Sequence, residues 1–194
     1  MHNIEPYYHW ISLYSAAEDR LSPFYGREYS EFTFTHSIYN YYIHPQWDEF
    51  GSNTLYVKVL YADYDEQFAV LELIGEWNDA IQNDIMYLKR GLIDPMIEQD
   101  IVKFIVICEN VLNFHGSDDC YYEEWKDDIA DEFGWIVFLN TLDHVYREME
   151  NYQLHFYVHF GEKFNDIHWR KMSPPTLLQV TESLLQNETK ALAY

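Results

Sequence analysis

Between Thr54 and Gln186 the apolar positions alternate between two periods, and the switches mark out elements. Leu55, Val57, Val59 and Tyr61 recur at every second residue, Ala62–Gln67 is polar, and Phe68–Ile74 is a second apolar run. Together these predict a β-hairpin. Ile81, Ile85, Leu88 and Leu92 then fall at helical spacing behind Asn78 or Asp79 as cap, with Pro95 set to end or bend the helix. Phe104–Cys108 is apolar throughout and rich in β-branched residues, the pattern of a strand buried on both faces. Asn113–Gly116 read as a turn beyond it, and Ser117, Asp118 and Asp119 as the start of a helix whose apolar face is Tyr122, Trp125, Ile129 and Phe133. Trp135–Leu139 predicts another buried strand, and Leu142, Val145, Tyr146 and Met149 a short helix capped by Asn140 or Thr141. Leu154, Phe156, Val158 and Phe160 alternate with His155, Tyr157 and His159 as a last strand, and Ser173-Pro174 opens a last helix. The order is β-β-α-β-α-β-α-β-α, which predicts an α/β fold with a mixed, largely parallel sheet and Phe104–Cys108 at its centre.

Residues 1–53 differ in texture. They are rich in aromatics, broken by Pro23 and Gly26, and carry one alternating stretch, Glu31–Tyr42, that predicts a half-buried strand. No linker separates them from residues 54–194, so they are expected to pack on the α/β domain as an elaboration. An alternating edge strand also invites its own copy, so a homodimer through it is a further expectation.

Composition narrows the function. A formal charge of −21 over 194 residues repels nucleic acid and anionic lipid surfaces, leaving open a protein partner with a basic surface or no charged partner at all. Hydrophobic content of 48% excludes disorder. The opening MHNIEPYYHW lacks the pattern of a secretory signal, so a cytoplasmic location is expected. Cys108 and Cys120 read as free thiols in a core.

Several stretches resemble the STAS domains, the family named for sulfate transporters and anti-sigma-factor antagonists. Leu71-Glu72-Leu73-Ile74-Gly75-Glu76 is similar to the family's strand ending in Gly-Glu. Lys103–Val106 with Val111–Phe114 resembles its central strand and the turn beyond, and Trp135–Asn140 its strand ending in Asn. The family's regulators carry Asp-Ser-Ser-Gly in the loop after the central strand, and a partner kinase phosphorylates the second serine. Here the loop reads His115, Gly116, Ser117, Asp118, keeping the serine and replacing the aspartate and glycine. The resemblance implies a non-enzymatic regulatory module. Ser117 would be its phosphorylation site, His115, Gly116, Ser117, Asp118 and Asp119 its partner-binding edge, and a kinase-type anti-sigma regulator or a phosphatase its partner.

From the residues alone, a helix cap is sufficient to explain Ser117, and Asp118 and Asp119 already place negative charge at that helix end. No nucleophile elbow or glycine-rich phosphate loop occurs, and no cofactor or metal is expected. His155 and His159 on one strand face would lie ~13 Å apart, too far to share a zinc ion. A metal site would have to be assembled across the fold from His115, Asp118 or His168. The other reading is a small-ligand carrier or enzyme using a cleft between the N-terminal segment and the sheet.

Overall fold

The computed structural model describes residues 4–30 and 32–192, with side chains described up to residue 187. Four strands form the main sheet in the order β3-β4-β5-β6: β3 Leu55–Asp63, β4 Phe68–Asn78, β5 Lys103–His115 and β6 Trp135–Leu139. The first two make the antiparallel hairpin, and β4–β5 and β5–β6 are parallel. Phe104–Cys108 lies inside the sheet between β4 and β6, fully buried, as its uniform apolarity requires.

Both faces are covered. On one, Leu71, Leu73, Phe104, Val106 and Phe138 meet the helices that connect the strands, including α4 Cys120–Ala130 through Tyr122, Trp125 and Ile129. On the other, Phe68, Val70, Ile105 and Val137 meet Trp10, Phe164, Trp169 and the last helix, α6 Pro174–Leu192. Trp10 and Trp169 pack edge to face with Tyr7, so the N-terminal segment closes this side. A third cluster of Ile38, Ile43, Trp47, Tyr56 and Ile74 joins the same segment to β3 and β4.

The structure corrects several expectations. The stretch expected as a strand over Glu31–Tyr42 forms only β1 Ser37–Ile38 and β2 Tyr41–Tyr42, paired with each other; Glu31 lies outside the described residues. Phe32 is 87% exposed, so the alternation there has no core to face. The strand expected over Leu154–Phe160 is a 3-10 turn, Leu154–Phe156, followed by one parallel bridge from His159 to Val137. Its buried residues, Leu154 and Val158, are four apart, and the Val158 amide donates to the Leu154 carbonyl. The segment therefore turns helically where its apolar pattern suggested a pleat. It still delivers backbone to the free edge of β6, where amides of Phe138 and His159 donate to His159 and Ile136 carbonyls.

The helix behind Asn78 is interrupted. Asn78 caps α1 Asp79–Gln82 by accepting from the Ile81 amide, but Asn83 at φ 55° breaks it and leaves Ile81 exposed. The chain resumes as α2 Asp84–Leu88, widens into a π turn over Lys89–Ile93, and runs through Pro95 in α3 Asp94–Ile97. Pro95 lacks a donor and crowds the preceding turn, and the widened turn directly before it relieves both demands. Phe133, expected on the buried face of α4, lies beyond the helix end with φ 56° and is exposed. A fifth helix, α5 Asp143–Asn151, begins after Leu142, and neither Asn140 nor Thr141 caps it.

Candidate functional site

The central strand does not stop at Cys108. β5 continues to His115, and two extra residues are absorbed on the way: Cys108 and Glu109 oppose Leu73 alone, and Leu112 has no counterpart on β4. The polar pair Glu109-Asn110 thus marks a bulge inside one strand and not its end. β6 pairs only with Lys103–Ile107, so beyond that point β4 and β5 run on as a two-stranded ribbon to Asn78 and His115. Asn113 to His115, expected as a turn, are the ribbon's end.

The edge Gly116–Asp119 connects this ribbon to α4. Gly116 is buried, and a Cβ there would come within 2.4 Å of the Tyr152 ring, so glycine is required by close approach and not by a sharp turn. Asp119 occupies the N-cap position with no capping bond from its side chain; its Oδ2 accepts from the Tyr157 hydroxyl at 2.6 Å. That bond first, then burial, pushes the Tyr157 phenol up to about 12. Asp118 Oδ1 accepts from the Cys120 amide at 3.4 Å, and the bond between the two side chains raises the Cys120 thiol to about 11. Cys120 is exposed, contrary to its expected core position, whereas Cys108 is buried; both are free thiols. His115 is exposed, with Nε2 2.9 Å from Asn113 Nδ2. Ser117 is exposed and, among the described residues, makes no hydrogen bond. Its expected capping role is therefore absent.

The metal arrangement considered for His115, Asp118 and His168 is not assembled. Among the described residues the one carboxylate group close enough to hold an ion is Asp94, Glu124 and Asp128. The fully buried Lys89 ammonium already pairs with all three, and Arg90 with Asp94 and Glu124. Part of the acidic face of α4 is thus neutralised from below, while Glu123 and Asp127 remain exposed.

Sequence reasoning missed a belt of buried charge across the outer sheet face. Glu72 on β4 is fully buried; it accepts from the Tyr7 amide at 2.8 Å and from Arg170 at 3.3 Å, and Arg170 also pairs with Glu109. Burial raises the Glu72 carboxyl to about 7, against the pull of the Tyr7 amide and Arg170. Beside it, Asp48 is fully buried and bonded by Arg27 at 3.0 Å, Lys58 at 3.2 Å and the Tyr29 hydroxyl at 2.8 Å. The one sequence signal for this belt was a glutamate inside an otherwise apolar strand, Leu71-Glu72-Leu73. Over Lys58, between the N-terminal segment and β3, a cleft of about 760 Å³ opens. A second, more open recess of about 830 Å³ lies beyond the end of β6 against His168, Arg170 and Lys171.

These features define a mixed α/β protein with an exposed edge beyond the ribbon of its central strand. No protein-family model matches the chain, and no curated protein matches it. Among solved structures it is similar to that of the anti-sigma factor antagonist SpoIIAA in its unphosphorylated form. The two are 14% identical, the match covers 55% of this chain and 88% of that one, and the TM-score is 0.44. The likeness is one of outline, and no residue role is carried across from it.

Proposed function

We propose that this chain is a non-enzymatic regulatory module that binds a protein partner through His115, Gly116, Ser117, Asp118 and Asp119, with phosphorylation of Ser117 as the control. The observation that supports this reading is a serine hydroxyl with no structural task, held on a backbone fixed at both ends. A group that neither caps nor packs is free to be modified without disturbing the fold. The neighbouring carboxylates of Asp118 and Asp119 favour a partner that brings arginine or lysine to the edge. Phosphate at Ser117 would strengthen a contact lined by arginines and weaken a neutral one. A kinase-type anti-sigma regulator or a phosphatase fits the resemblance in the sequence.

The test uses wild type, Ser117→Ala, Ser117→Glu and Asp118→Lys as baits in extract of the native cell, with partners and phosphosites read by mass spectrometry. All four should melt alike, since none of the substituted side chains is buried. A partner retained by wild type should be lost with Asp118→Lys, and should separate Ser117→Ala from Ser117→Glu by about tenfold or more in affinity. Identical partners and affinities for all four baits would reject the edge as the binding site.

A further inference from the structure

The cleft between the N-terminal segment and β3 carries a different chemistry. Its polar end is built on Asp48, which a backbone bridge fixes to Val57: the Asp48 amide donates to Val57 O at 2.7 Å, and the Val57 amide to Asp48 O at 3.0 Å. Around the buried Asp48 carboxylate sit two cations, Arg27 and Lys58, and the Tyr29 hydroxyl. The cluster therefore holds one more positive than negative charge, inside a chain whose total is −21. Lys58 Nζ lies 3.6 Å from the centroid of the Tyr29 ring, and its side chain keeps 16% of its surface open to the cleft. Among the described residues it spends one hydrogen bond, on Asp48, and an ammonium has three donors.

The walls are apolar and aromatic. Tyr8, Ile11, Tyr14 and Phe32 line the cleft, and Tyr8, Ile11 and Phe32 are 61%, 65% and 87% exposed. So much uncovered apolar surface around a recess of this size is what a drug-sized ligand covers. The rim carries Glu5 and Glu18, which would repel a multiply charged molecule such as a nucleotide.

We propose that this cleft binds a small amphiphilic monoanion, a carboxylate or sulfonate on an apolar body, with the head at Lys58 and the body against Ile11, Tyr14 and Phe32. The Lys58 ammonium sets the place of the head, Glu5 and Glu18 at the rim oppose any further negative charge, and the walls set the body. This site does not involve the edge at Ser117 and stands whether or not that edge binds a partner.

Titration calorimetry with decanoate, and with decyltrimethylammonium at the same concentration below micelle formation, tests the assignment. A chain of this acidity attracts the cation non-specifically, so generic binding predicts that the ammonium binds better. The built site predicts the reverse: one decanoate per chain, at least about tenfold tighter than the ammonium. Lys58→Met should lower decanoate affinity by about tenfold or more. Because that change also removes a partner of Asp48, Ile11→Asp serves as the second variant. Its side chain is exposed, so the fold and melting temperature should be unchanged, while a carboxylate in the wall repels the ligand by a similar factor. Ser117→Glu should leave decanoate binding untouched. The proposal is overturned by tighter binding of the ammonium, or by decanoate affinity that survives both Lys58→Met and Ile11→Asp.

Discussion

Glu72 is a carboxyl group in the middle of a strand, with no exposed surface and a pKa of about 7. In the unfolded chain it returns to an ordinary value near 4.5. Between these two values the folded protein holds the proton and the unfolded chain releases it, so the contribution of Glu72 to stability is fully present below pH 4.5 and is lost as pH rises through 7. Glu72→Gln keeps an acceptor for the Tyr7 amide and removes the titration. Its advantage over wild type should therefore grow between pH 5 and pH 8 by on the order of 2 kcal/mol. Urea unfolding of both proteins at the two pH values measures this, and a constant difference would show that Arg170 keeps Glu72 ionised throughout. Asp79, raised by burial to about 6, is common to both proteins and cancels in the comparison.

Among the elements, the fully apolar runs were the legible ones. Phe104–Cys108 and Trp135–Leu139 have no polar face to hide, so both read as strands covered on their two faces; the first lies inside the sheet and the second forms its edge strand β6, buried from Ile136 to Leu139. The hairpin was equally plain from its alternation and polar turn. Leu154–Phe160 reads as a strand because its four alternating apolar residues fit one whether or not a core lies under each of them; Phe156 is exposed. The length of β5 was misread because Glu109-Asn110 looks like a terminus, and sequence alone does not show that the partner strand continues. The site followed the same division. The edge His115–Asp119 was visible as residue types, whereas Asp48, Lys58, Glu72 and Arg170 come together from four distant stretches and leave no local spacing to read.

The ribbon has a measurable signature. Phe104–Ile107 are paired on both sides, whereas β6 is absent beside Asn110–Phe114. Amides of Asn110–Phe114 should exchange with solvent hydrogen at least about tenfold faster than those of Phe104–Ile107. Equal protection along all of β5 would mean that the ribbon opens only with the whole sheet.

At the scale of the molecule, residues 1–50 supply buried Trp10, Phe24, Ile38, Ile43, Trp47 and Phe50, and the Tyr7 amide that satisfies Glu72. Without them Tyr56, Ile74, Trp169 and a buried carboxylate face water. At roughly 25 cal/mol per Å² of apolar surface, that loss is comparable to the whole stability of a domain. Deletion of residues 1–50 should therefore give aggregated protein, or protein melting far below the parent, by size-exclusion chromatography and thermal denaturation. A soluble fragment with the parental melt would make the segment a detachable arm.

The way this chain spends its cations sets how its copies behave toward one another. Among the described residues Arg27, Lys58, Lys89, Arg90, Lys103 and Arg170 are engaged in ion pairs within the fold, in a chain of 12 basic against 33 acidic residues. The outward-facing remainder is weighted still further toward carboxylate. In solution such a particle travels inside a dense cloud of counterions, and two copies meet cloud to cloud. In dilute buffer that mutual pressure holds them apart, and added salt thins it within a few ångströms. Any pairing of copies through the tyrosines near β1 and β2 is thus something ionic strength should switch on, whereas capture of a basic partner is something it should switch off.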